Sequence, residues 1–278
     1  MPPIHRNKGR KPGNKTPLNE AVAQRDRNTM KMVANAVARK NVLLAYQPVM
    51  MTRKRGRPAF YEGLIRVMDN RGRIIPAREF IETVENQELG RQLDCLALEI
   101  GLDTLRRVPG LRLAINMSAR SIGYEPWSKT LRDGLAADPT AAERLILEIT
   151  EQSAMIMPEI VTVFMKELQR QGISFALDDF GAGYTSFRYL RDFYFDILKI
   201  DGQFVRNIAH SADNQVLVQA LVDVARHFDM FTVAESVETA DDVAFLTAAG
   251  VDCLQGYHFA APSTRPGWLE KADLRKTA

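Results

Sequence analysis

The chain has 278 residues, 46% of them hydrophobic and 26% charged, with a formal net charge of +3. That is an ordinary globular composition, long enough for one large domain. It excludes a membrane-spanning chain, because no run approaches ~18 consecutive apolar residues, and a disulfide scaffold, because Cys95 and Cys253 are the only cysteines.

The charge is unevenly placed. Residues 1–16 hold Arg6, Lys8, Arg10, Lys11 and Lys15 and no acid, and subtracting these five from +3 leaves −2 for the rest. The body is no polycation, so no nucleic-acid polymer is expected as a partner. Residues 1–17, rich in Pro, Gly, Lys and Asn, read as a solvated, disordered basic tail. No apolar segment in that tail resembles a secretory signal, and both cysteines sit in apolar contexts without metal-ligand spacing. Reduced thiols and the missing signal point to the cytoplasm.

An N-terminal helix is expected over Leu18 to Arg39, within a segment 18–40. A main domain over 41–265 follows, with a C-terminal tail over 266–278. The domain opens with strands Val42 to Val49 and Phe60 to Val67, joined by a basic turn, T-R-K-R-G-R-P, like a hairpin with a long loop. Helix and strand then alternate: helix around 77–108, strand Leu111 to Met117; helix 126–137, strand Leu145 to Thr150; helix 158–171, strand Ile173 to Asp178. The pattern continues with helix 184–192, strand Asp196 to Asp201; helix 213–228, strand Met230 to Ala234; helix 240–249, strand Val251 to Tyr257. Such alternation favours a parallel sheet with crossover helices. Eight strands in a chain of this length point to a closed (β/α)8 barrel.

Seven strands carry a polar residue inside an otherwise apolar run: Glu62, Asn116, Glu148, Asp178 with Asp179, Lys199, Glu235 and Gln255. One such residue is ordinarily a satisfied core polar group; the Asp178–Asp179 pair alone would also read as a solvated turn with an aspartate N-cap. Seven converge on one barrel mouth, where catalytic residues sit. Five carboxylates and a carboxamide oxygen suit Mg²⁺ or Mn²⁺, in number enough for two ions. His5, His210, His227 and His258 are placed at none of these positions, which argues against zinc. Two cations acting on a phosphodiester need no histidine base. Lys199 would hold the attacking water or meet charge on a phosphate; a buried salt bridge to one of the acids is its structural alternative.

The motifs A-Y-Q-P, E-G-L-I-R, I-P-A-R-E-F-I, I-N-M-S, L-E-I-T-E, L-D-D-F-G-A-G-Y, L-K-I-D, A-E-S-V-E-T and Q-G-Y, running from Leu43 to Pro262, resemble the EAL family of cyclic di-GMP phosphodiesterases. The resemblance implies a modified TIM barrel whose first strand runs antiparallel to the rest. It implies a homodimeric hydrolase of bacterial second-messenger signalling that opens cyclic di-GMP to linear pGpG. Glu62, Asn116, Glu148 and Asp178 would bind one ion, and Asp178 would bridge to a second held by Asp179 and Glu235. Lys199 would position the water, with Gln255 nearby. Gln47 and Arg66 match nucleotide contacts, Glu238 is a supporting partner of the same site, and Glu151 matches the anchor of the loop after Asp179. The chain departs from the family pattern at Gly63 in place of Ala, at Val67 in place of an aromatic and at Ser236 in place of Gly. A non-catalytic receptor or interaction module on the same fold is the alternative.

Overall fold

The computed structural model describes residues 17–53, 56–181, 190–191 and 193–276. The expected basic tail, save Pro17, and most of the expected helix over 184–192 lie outside the described residues.

Among the described residues, nine strands form one sheet: β1 (Val42–Met51), β2 (Pro58–Met68), β3 (Ile74–Pro76), β4 (Leu113–Asn116), β5 (Leu145–Thr150), β6 (Ser174–Phe180), β7 (Ile197–Ile200), β8 (Phe231–Ala234) and β9 (Cys253–Leu254). Their order is β1-β9-β8-β7-β6-β5-β4-β2-β3, and β1 also pairs with β2, closing an eight-stranded barrel with β3 appended to β2. Strand β1 is antiparallel to both of its neighbours, β2 and β9; the pairs β2–β4 through β8–β9 are parallel. The fold is the modified TIM barrel that the motifs imply.

Helices cover the barrel: α1 (Pro17–Ala38), α2 (Ile81–Val84), α3 (Glu88–Arg107), α4 (Glu125–Ala137), α5 (Glu151–Ala154), α6 (Pro158–Gln169), α7 (Gly202–Val205), α8 (Ala212–His227), α9 (Ala240–Ala248) and α10 (Gly267–Lys276). Apolar residues three and four apart give α3 its buried stripe of Leu93, Ala97, Leu98, Gly101, Leu102 and Leu105. Its last carbonyls are closed from outside, because Arg144 Nη1 donates to Leu105 O at 2.8 Å and Val108 O at 3.3 Å. Helix α1 buries Val33 and Ala36 against Val67, Ile75, Phe80 and Val84 in a satellite core.

Besides the added strand β3 and several short helices, three elements differ most from the sequence-based expectation. The single helix over 77–108 is instead a 3-10 turn at Ala77–Glu79 followed by α2 and α3, with Phe80 buried between them. The last strand is only Cys253–Leu254. The expected C-terminal tail contains α10, whose Trp268 ring lies 5.1 Å from both the Tyr46 and Tyr61 rings in edge-on contacts.

The barrel interior explains the site. Val49, Phe60, Ala114, Ile146, Ala176, Ile197, Val233 and Cys253, one from each barrel strand, form a separate apolar cluster. Side chains on one face of a strand recur every second residue. Two residues on, in each parallel strand or one residue past its end, stands a polar group: Glu62, Asn116, Glu148, Asp178, Lys199, Glu235 and Gln255. On the antiparallel β1 the same step runs backwards, from Val49 to Gln47. The barrel is thus plugged by an apolar layer with a ring of eight polar groups directly above it.

Candidate functional site

Lys199, with no exposed surface, is central to this ring. Its Nζ lies 2.7 Å from Glu235 Oε1, 2.9 Å from Glu148 Oε2, 2.9 Å from Asp178 Oδ1 and 3.6 Å from Glu62 Oε2. The Asp178 contact is an ion pair without hydrogen-bond alignment. Glu62 is held from the other side: Asn116 Nδ2 donates to its Oε1 at 2.9 Å and Gln255 Nε2 to its Oε2 at 2.6 Å. Gln255 Nε2 also donates to Gln47 Oε1, and Gln47 Nε2 to Ala260 O. Gln47, expected from the motifs as a nucleotide contact, therefore completes the ring from β1.

Asp179 joins by a different device. The β6–β7 register passes from Leu177 opposite Leu198 to Phe180 opposite Ile200, one extra residue on β6. This bulge, with Asp179 at φ +54°, breaks the alternation that would send two successive carboxylates to opposite faces. Aspartate tolerates that left-handed conformation better than most residues.

One ammonium cannot neutralise five carboxylates. Burial, with Glu62 and Asp178 close by, drives the Glu148 carboxyl well above the usual carboxylate range. Burial pushes Glu235 up to about 8 against the pull of Lys199, and burial with Asp178 pushes Asp179 up to about 6. Glu62 goes the other way: burial would raise it, but Lys199, Gln255 and Asn116 outweigh burial and hold it low. Burial alone would lower Lys199; Asp178, Glu148, Glu235 and Glu62 together outweigh it and hold the ammonium well above its usual range.

Two overlapping carboxylate groups, Glu62–Glu148–Asp178 and Asp178–Asp179–Glu235, each present oxygens within 4.8 Å of one another. Glu148 Oε1 and Gln255 Oε1 are buried with no hydrogen-bond partner among the described residues. Unpartnered buried oxygens among excess negative charge, with no His or Cys, form a donor set that fits hard divalent cations. The ring opens into a cleft of about 550 Å³.

The EAL domain family model matches residues 30–262. The chain belongs to the EAL domain family. Among proteins similar to this EAL domain is the cyclic di-GMP phosphodiesterase PdeB of Shewanella oneidensis, 30% identical over 247 residues that cover 87% of this chain and 29% of PdeB. The chain spans about a third of the length of the curated relatives it matches. A solved structure of the PaMucR phosphodiesterase with c-di-GMP is 28% identical with a TM-score of 0.74, covering 85% of this chain and 97% of that one. The Klebsiella pneumoniae BlrP1 manganese/cy-diGMP complex is 27% identical with a TM-score of 0.70, covering 80% and 56%.

The other sequence-predicted positions lie around the EAL ring. Glu151, buried at the start of α5, accepts from Gly181 N at 3.1 Å, at the last described residue before 182–189. Arg66 lines the cleft, donating Nη1 to Ile65 O at 2.9 Å. Glu238 stands apart from the carboxylate cluster at the exposed rim, 3.9 Å from Arg206. The cleft is also lined by Arg78 and Arg206, which sequence reasoning missed. Arg78 falls within I-P-A-R-E-F-I and was within reach of the motif reading; Arg206 lies outside every motif. No helix among the described residues is long and apolar enough to cross a membrane.

Proposed function

We propose that this EAL domain hydrolyses cyclic di-GMP to linear pGpG with two divalent cations, Mg²⁺ or Mn²⁺. The observation that carries the reading is the pair of carboxylate groups sharing Asp178 at the mouth of the barrel. Glu62, Asn116, Glu148 and Asp178 would hold one cation; Asp178, Asp179 and Glu235 the other. When bound, the cations supply Lewis acidity, which activates water near neutral pH and offsets charge on the phosphodiester.

The chain's own groups do the rest. Lys199 carries the positive charge among the carboxylates and donates hydrogen bonds to orient water and meet the phosphate. Gln255 and Asn116 hold Glu62 in its ionised form and fix its orientation. Arg66 suits a phosphate because its planar fork bonds two oxygens at once, and Gln47, opposite Glu62 across the β1–β2 pairing, supplies a carboxamide. Glu151 secures the segment that follows Asp179, and Glu238 supports the rim. Hydrolysis forms one P–O bond to water oxygen and breaks the P–O3′ bond, leaving a 5′-phosphate and a 3′-hydroxyl. A homodimer, implied by the family motifs, and a cytoplasmic location belong to the same reading.

A receptor that binds without turnover is the second reading. It is favoured by the departures at Gly63 and Ser236, each adjacent to a ring carboxylate. Incubation of purified chain with cyclic di-GMP in Mg²⁺, Mn²⁺ or chelator, beside a binding titration, separates the two. Metal-dependent pGpG supports the enzyme; tight binding without turnover assigns the receptor; neither binding nor turnover overturns both.

A further inference from the structure

Arg206 is the least expected of the cleft's guanidinium groups. It directly follows α7, the short helix that begins at the end of β7, where Asp201 Oδ1 accepts from Gln203 N at 2.7 Å. Across the rim, Ser236 follows Glu235 at the end of β8 with φ +56°. That left-handed conformation suits glycine and is uncommon for serine, and glycine is what the family motif has there. The hydroxyl gained by this departure has a partner: Arg206 Nη2 donates to Ser236 Oγ at 3.3 Å. Glu238 Oε1 lies 3.9 Å from Arg206 Nε. Room for the serine comes from Gly202, where an added Cβ would meet Ser236 Oγ at 2.4 Å and its Cβ at 2.7 Å. Gly202 and Ser236 are therefore matched, and α7 is seated against the end of β8 with its following arginine on the cleft.

The electrostatics give this arginine a use. A dianionic nucleotide entering the cleft meets five carboxylates around one lysine. A guanidinium at the rim, with 63% of its side chain exposed and donors left over, attracts the phosphate that the carboxylates repel. We propose that Ser236 and Glu238 position Arg206 to bind a phosphate of the cyclic dinucleotide, so that Arg206 sets affinity and Ser236 presents it. This inference rests on the cyclic di-GMP reading above.

The test compares wild type, Arg206→Ala, Arg206→Lys, Ser236→Ala and Ser236→Asn by cyclic di-GMP titration in chelator, at several salt concentrations, and by steady-state kinetics. Arg206→Ala is expected to raise Kd and KM about tenfold, as loss of one charge-assisted contact, with kcat changed less than about threefold. Its Kd should also depend less steeply on salt, since one screened attraction is gone. Ser236→Ala keeps the strained backbone but deletes the acceptor and should weaken binding about threefold. Ser236→Asn restores an oxygen acceptor on a residue that tolerates φ above zero and should recover affinity. Arg206→Lys, keeping charge but losing the fork, should fall between wild type and Arg206→Ala. Unchanged Kd and salt slope in Arg206→Ala, beside a wild type that binds, overturns the inference; so does a loss confined to kcat. A wild type that neither binds nor hydrolyses cyclic di-GMP overturns the functional reading itself, a distinct outcome. Arg206 is largely exposed, so its variants carry the test even where a Ser236 variant fails to fold.

Discussion

Replacing Lys199 by Met in metal-free protein probes the balance of charge on which the site is built. Methionine keeps most of the volume and the straight chain, so the loss isolates the ammonium. Each of the three contacts at 2.7–2.9 Å corresponds to about 6 kcal/mol of attraction at an effective dielectric constant of about 20. Dehydrating the ammonium opposes this by several kcal/mol, and removing one partner of a buried ionic cluster costs about 3–5 kcal/mol in measured cases. Uptake of protons by Glu148 and Glu235, already held above the usual range, limits the loss to that scale. Thermal unfolding in chelator should show a midpoint about 6–10 °C lower, since ~1 kcal/mol shifts a domain of this size by ~2 °C. Adding Mg²⁺ or Mn²⁺ should narrow the gap by returning positive charge to the same carboxylates. A Lys199→Met protein as stable as wild type in chelator would refute the argument that the ammonium offsets the buried carboxylates.

Three further outcomes are expected. Glu62→Gln or Asp178→Asn should lower pGpG formation at least ~1000-fold while leaving the circular dichroism spectrum native, because each removes a proposed metal-binding carboxylate; near-wild-type rates would remove that residue from the ligand set. Gly63→Ala restores the usual family residue but places a Cβ 2.8 Å from Ile115 Cδ1 and 3.2 Å from Leu44 Cδ1, so it should cost about 1 kcal/mol in denaturant unfolding and be rescued by Ile115→Val. Trp268→Ala should lose about 2 kcal/mol by uncovering Tyr46 and Tyr61, and an unchanged midpoint would show that α10 is dispensable to the barrel.

The ring was legible in the sequence to an unusual degree, for a physical reason. A charged residue inside a four-residue apolar strand, as in Leu198-Lys199-Ile200, has no cheap place in a core. Repetition at seven strand ends makes convergence the economical explanation. The alternation of strand and helix then carries the barrel, and the resemblance of the motifs to the EAL family implies the reversed first strand. Strand and helix limits came out close where capping or turn residues mark them, as at Leu145–Thr150 and Ala240–Ala248.

Other features depended on contacts between segments far apart in the chain. Gln47 joins the ring only because β1 runs backwards, which turns its position below Val49 in sequence into a position above it in space. Asp178 and Asp179 both reach the mouth because of a bulge against β7, a matter of register between two strands. Residues 267–276, too short to be stable as an isolated helix, are helical where Trp268 packs on the barrel wall. The Arg206–Ser236 contact joins residues 30 apart, and Gly202 leaves the space for it. Hydrophobic pattern and local propensity act over a few residues and are written along the chain; register, close approach and the sharing of charge among strands arise only when the barrel closes.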